Sequence, residues 1–197
     1  MRHIIILLLF VLSGSIQAQE YYTRTGHVHV KSANKFKNIE ADNYQIISVF
    51  NTNTGEISFE GLLRSFEFKF GALDRAVNSR NLDVSAHPKI KFKGKVKNFR
   101  RIDFNKPGEY NVKVHGNLFI WDEKRVTTAD GRIYVGSDGQ MSASSNFIMT
   151  IEEQSVEKLN DLMRKKLPDV LNINTNTLGV SRDIIIDLDL TYQLKTW

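Results

Sequence analysis

The residues from Phe66 to Val96, FEFKFGALDRAVNSRNLDVSAHPKIKFKGKV, alternate at both ends and not in the middle. Phe66, Phe68 and Phe70 are spaced by Glu67 and Lys69; Ile90, Phe92, Gly94 and Val96 are spaced by Lys89, Lys91, Lys93, Lys95 and Lys97. Successive side chains of a strand point to opposite faces, so each end predicts a strand with one apolar and one charged side. Between them the period of two is lost. Leu73, Ala76 and Val77 share a helical face, which predicts a short helix within residues 71–82, then a turn at His87-Pro88. Strand, short helix, strand is a corner at which a sheet rolls over and returns.

The rest of the chain repeats the pattern. Strands are predicted at Gly26–Ser32, Tyr44–Asn51, Glu56–Phe70, Glu109–Trp121, Arg125–Gly136, Gln140–Ile151 and Asp183–Leu194. Glu20–Thr25 reads as a loose lead-in and Lys35–Asn43 as a polar loop or helical turn. The long third strand slips phase between Leu62 and Ser65, the mark of a β-bulge or bend. Asn53-Thr54-Gly55 and Ser137-Asp138-Gly139 are turn signals. One longer amphipathic helix is predicted from Ser155 to Leu167: Val156, Leu159, Leu162 and Met163 fall at helical spacing, Ser155 suits the N-cap, and Pro168 ends it. Together with the lysine-rich strand this makes eight strands, each with one apolar face, mostly joined by short turns. A sandwich or an up-and-down barrel fits, and closure is favoured because a barrel leaves no sticky edges.

The first eighteen residues, MRHIIILLLFVLSGSIQA, combine a basic start, an apolar run and a small-residue cleavage site, the pattern of a signal peptide. The run is too short to span a bilayer, which needs about 20 residues. Cleavage after Ala18 leaves 179 residues, enough for one domain at 19–197 with a sizeable core. With no cysteine in the chain, that core must hold the fold without disulfides. The mature net charge of +4 is too diffuse to indicate nucleic acid, which calls for a concentrated basic face.

No nucleophile elbow, zinc-protease helix or phosphate-cradling glycine loop is present, and Asp187 and Asp189 fall on the outer face of a strand. No enzymatic activity and no cofactor are expected. His27 and His29 lie two apart on one strand face and could chelate a metal, but no third ligand is close in sequence. The five lysines from Lys89 to Lys97 form either a solvated strand face or a surface for transient contact with anionic membrane lipids. Arg164, Lys165 and Lys166 suit the negative end of a helix dipole, or a ligand's anionic headgroup. The apolar face that gathers Phe59, Phe66, Phe68, Phe70, Phe92, Phe147 and Met149 is, on residues alone, either a filled core or a cavity wall.

Thr54-Gly55-Glu56-Ile57-Ser58-Phe59, Ser65-Phe66-Glu67-Phe68 and Pro88-Lys89-Ile90-Lys91-Phe92-Lys93-Gly94 together resemble the YceI-like family. Its members carry a "TG.I.F…SF.F" strand, a short helix and a "P.I.F.G" strand. Val114-His115-Gly116-Asn117-Leu118 and Ser145-Asn146-Phe147-Ile148 resemble two further strands of that family, so the likeness runs from about Gly26 to Ile151. The resemblance implies an extended, lipocalin-like, eight-stranded antiparallel barrel in the periplasm of a Gram-negative bacterium. A short helix would follow its third strand, and the barrel would hold an isoprenoid or other long apolar chain. The implied cavity residues are Phe59, Leu63, Phe66, Phe68, Phe70, Phe92, Val114, Leu118, Phe147, Met149, Ile186 and Leu188. The helix at Ser155–Leu167 departs from the shorter connection of that family. A monomer or homodimer is expected. The alternative is a filled barrel acting in the cell envelope through its basic face.

Overall fold

The computed structural model describes residues 19–32, 38–69, 74, 88–120, 123–153, 156–157, 160–161 and 181–195. They form β1 (Glu20–Ser32), β2 (Ile39–Asn51), β3 (Glu56–Leu62), β4 (Glu67–Phe68), β5 (Lys89–Lys97), β6 (Gly108–Ile120), β7 (Glu123–Val135), β8 (Met141–Thr150) and β9 (Asp183–Leu194). Every pairing is antiparallel. Around the sheet the order is β1, β9, β8, β7, β6, β5, β3, β2, and β1 pairs with β2 to close it. Eight strands thus make the barrel, and the two-residue β4 pairs with β2 at Ala41 and Asp42.

Alternation places the side chains. On β5, Ile90, Phe92, Gly94 and Val96 point inward while all five lysines are exposed. The register carries this inward set across the wall: Phe92 faces Leu118, and Leu118 faces Arg125. One end of the barrel is packed solid. Tyr21, Ile46, Phe50, Val96, Ile133, Val135, Met141, Leu190 and Tyr192 are buried there. The segment between β5 and β6 plugs this end with Phe99, Ile102 and Phe104, the last ring lying 5.8 Å from Phe50 and 6.4 Å from Tyr21. Gly55 at the β2–β3 turn has φ +72°, and a Cβ there would lie 2.4 Å from the Phe99 ring. Only glycine accepts both that conformation and that contact.

Several boundaries differ from the sequence reading. Glu20–Thr25 is strand, not lead-in, and Ile39–Asn43 is strand, not loop. The phase slip at Leu62–Ser65 is the bend of the two alternatives, a 3-10 turn over Leu63–Ser65 that ends β3. Register shifts occur instead in β1, between Thr23 and Val28. The predicted helix at 71–82 lies outside the described residues apart from Asp74, as does most of Ser155–Leu167. Within the latter, Val156, Glu157, Asn160 and Asp161 have helical backbone, and the Val156 N–H donates to the Glu152 carbonyl at 3.1 Å. The expected signal peptide also lies outside the described residues.

The outer surface divides by charge. In the closed order of eight, β5 and β9 stand opposite one another. Five lysines point outward from β5, and Asp183, Asp187 and Asp189 point outward from β9. Glu60 of β3 answers only two of the lysines, Lys89 at 2.6 Å and Lys91 at 3.9 Å.

Candidate functional site

Opposite the plugged end, β3, β6 and β8 finish while β5, β7 and β9 begin. Hydrogen bonds gather the strand ends into a rim: the Ile151 N–H donates to the Arg182 carbonyl at 2.7 Å, the Leu63 N–H to Pro88 at 2.9 Å, and the Ser181 N–H to the Ser32 hydroxyl at 2.8 Å. Below this rim many inward side chains of β6 to β9 are only half-buried, although Leu118 is buried. They include Val112 and Val114 on β6, Thr127 and Ala129 on β7, Phe147 and Met149 on β8, and Ile184, Ile186 and Leu188 on β9. Register joins them into one patch, with Val114 opposite Ala129, Phe147 opposite Ile186 and Met149 opposite Ile184. A barrel filled by its own side chains leaves such positions no accessible surface. On the facing wall Val28, Ser32, Ala41 and Asn43 are buried. Val30, Ile57, Phe59 and Ile90 on that wall are half-buried, so the β6–β9 wall differs in carrying the longer run of half-buried inward positions.

Of the residues expected to line a cavity, Phe59, Leu63, Phe68, Val114, Ile186 and Leu188 are half-buried and pack against the core. Phe147 and Met149 are half-buried on the accessible wall. Phe66, Phe92 and Leu118 are buried. The Phe92 ring stacks on Phe59, centroids 4.9 Å apart and planes 11° from parallel, and presses on Gly94 and Gly116. Phe70 and the headgroup candidates Arg164, Lys165 and Lys166 lie outside the described residues.

Two features escaped the sequence reading. The first is a seam. The β7–β8 ladder has only four pairs, from Arg132–Ser144 to Val135–Met141, whereas β6–β7 is paired from Gly108 to Ile120. Beyond Ser144 no described strand pairs with this edge of β8, and Ser145 bridges to the Asp130 carbonyl through its hydroxyl at 2.6 Å. A recess of about 570 Å³ opens there, walled by polar side chains such as Asp130, Arg132, Asn146 and Asp187, and reaching the inward-facing Val112 and Leu188. Its wall mixes charged and apolar side chains, unlike the largely apolar inner wall. The second feature is Arg125. Its position on β7 alternates with exposed Lys124 and Val126, so it points inward beside the rim.

On the outer face, His27 Nε2 and His29 Nδ1 both lie against Asp42 Oδ1, at 2.8 and 2.9 Å. Tyr44 stacks on the His27 ring at 4.5 Å. Asp42 supplies the third group the sequence did not reveal, yet it engages one ring nitrogen of each histidine by hydrogen bonding. Among the described residues no cluster suited to a metal ion is present. Burial raises the Asp42 carboxyl pKa, but the hydrogen bonds from His27 and His29 outweigh it and hold the group below the usual aspartate value. The folded protein thus releases this proton more readily than the unfolded chain. The stability so gained is present above roughly pH 4 and is lost as pH falls. Asp42→Asn is expected to melt at lower temperature near neutrality and to lose less on acidification, which thermal scans between about pH 6 and pH 3 will show.

Comparison with solved structures agrees with this architecture. A polyisoprenoid-binding domain from Saccharophagus degradans, implicated in plant cell wall breakdown, matches with a TM-score of 0.72 and 11% identity over 91% of this chain and 100% of its own. BcnA of Burkholderia cenocepacia matches with a TM-score of 0.56 and 12% identity over 84% and 95%. These likenesses are likenesses of fold. A Campylobacter jejuni YceI protein also aligns, at 16% identity over 84% of this chain and 86% of its own, with a TM-score of 0.47. No family model and no curated protein matches the sequence. In this barrel, the half-buried inner wall between β6 and β9 is the candidate site.

Proposed function

We propose that this protein is a YceI-like carrier, exported to the periplasm, that holds a long apolar chain such as an isoprenoid inside its barrel. The observation that carries the reading is the half-buried, largely apolar inner wall of Val114, Ala129, Phe147, Met149, Ile184 and Ile186. Apolar side chains that water can reach inside a barrel gain free energy when a lipid covers them, at roughly 25 cal/mol per Å². Binding is by burial, without chemistry. The fold shared with a polyisoprenoid-binding domain supports the ligand class.

The test is mass spectrometry on an organic extract of protein purified without detergent from a Gram-negative periplasm. A long-chain lipid in stoichiometric amount is the expected result. Extracts free of lipid, together with no uptake of an added isoprenoid, would overturn the carrier reading. Attention would then turn to the β5 lysines as the working surface.

A further inference from the structure

We propose that Arg125 holds the oxygen-bearing head of an amphiphilic ligand at the rim, so that the ligand enters tail first. The proposal rests on the carrier reading above and specifies its ligand: an amphiphile, not a bare hydrocarbon.

Arg125 faces Leu118 across the β6–β7 ladder and shares its inward orientation. Its side chain is only 17% exposed. Nε and Nη2 donate to Glu123 Oε2 at 3.2 and 2.6 Å, and Nη1 donates to the Thr150 carbonyl at 3.2 Å. These bonds fix the guanidinium between the start of β7 and the end of β8. A guanidinium carries five N–H donors. Three are engaged, and two remain for an acceptor.

Arg125 is ion-paired with Glu123 at 2.6 Å, so its charge is already answered at the rim. A site for hydrocarbon alone would be served better by an apolar side chain of similar size. Near Arg125 the inward positions are Ile120, Met149 and Ile184, which would hold the upper part of a chain. The two remaining N–H groups of Arg125 can still donate to an oxygen acceptor, and hydrogen bonds to a charged donor are the stronger kind. A hydroxyl, carbonyl or carboxylate serves equally in kind. At the other end of the barrel the core is packed, so the tail would lie along the inner wall, where β6–β9 carry the longer run of half-buried positions.

A purely structural role would also use these bonds, since the Arg125–Thr150 contact ties two edges beyond the end of their ladder. Head selectivity separates the two roles. Bound N-phenyl-1-naphthylamine is displaced from the purified protein by 1-octadecene, oleyl alcohol or oleate, three chains of equal length. Oleyl alcohol and oleate are expected to bind at least about tenfold tighter than 1-octadecene, the equivalent of one charge-assisted hydrogen bond. Arg125→Leu should bring both down to the affinity of 1-octadecene, whose own affinity stays unchanged; Arg125→Lys should keep part of the preference. Equal affinities in the wild type, or a parallel loss for all three in Arg125→Leu, would overturn the anchor and leave the carrier reading intact. Failure of every chain to bind the wild type, 1-octadecene included, would remove the carrier reading and the anchor with it.

Discussion

Gly116→Ala is expected to cost roughly 3 kcal/mol and to lower the melting temperature by about 6–12 °C, among the largest effects of any single methyl group added to this barrel. Gly116 and Gly94 face each other across the β5–β6 ladder. A Cβ on Gly116 would stand 2.4 Å from the Gly94 Cα, 2.4 Å from the Lys93 carbonyl oxygen and 2.7 Å from the Phe92 ring. Two of these three contacts are backbone, so no rotamer change relieves them and the wall itself must part. The double variant separates the causes. Adding Phe92→Leu should leave Gly116→Ala unrescued. It should partly rescue Gly94→Ala, whose Cβ meets the Phe92 ring at 2.5 Å and one backbone oxygen at 2.8 Å. Circular-dichroism melts of the four variants test this. Full recovery of Gly116→Ala by trimming Phe92 would show that the ring, not the wall, sets the limit.

Tyr192→Ala is expected to cost roughly 4 kcal/mol, the range for truncating a large buried aromatic. Tyr192 is fully enclosed at the packed end. Its hydroxyl lies 2.8 Å from Ser48 Oγ, and Ser48 donates its one proton to the Ser58 carbonyl, also at 2.8 Å. Tyr192 must therefore donate. Tyr192→Phe removes only that bond and should cost about 1 kcal/mol. Desolvation by burial raises the Tyr192 pKa well above the usual tyrosine value, with Ser48 opposing weakly, and burial also raises Tyr21. The folded state thus keeps these protons where the unfolded chain has released them. Stability is full below about pH 10 and falls as pH rises beyond it. Denaturant unfolding at alkaline pH should show a shallower decline in Tyr192→Phe than in the wild type. An identical slope would mean that Tyr192 does not carry the alkaline transition.

Much of this fold was legible because a strand's period of two survives in sequence. β9 matches the predicted boundaries residue for residue, and the lysine alternation marks β5 without ambiguity. The missed stretches bury residues that do not look buried. Thr23 and Asn43 point inward, and Asn43 is held by a hydrogen bond to the Leu62 carbonyl at 3.1 Å. The register shifts in β1 break its phase as well. The inner aromatic face was readable, but which part of it retains open space was not, since that depends on the plug of Phe99, Ile102 and Phe104. Arg125 was invisible for another reason. The first half of β7 is largely polar on the face that carries Arg125, and only its shared phase with buried Ile133 and Val135 and its pairing with Leu118 mark that face as inward.

Lysines on β5 and aspartates on β9 add a dipole component directed across the bore of the barrel. Within about a Debye length of an anionic surface, roughly 10 Å at 0.1 M salt, such a dipole feels a torque. Such a torque would turn β5 toward the surface, with the mouth opening parallel to it. A cargo would leave sideways along the surface, and raising the salt would erase the preferred orientation before it changed anything inside the barrel.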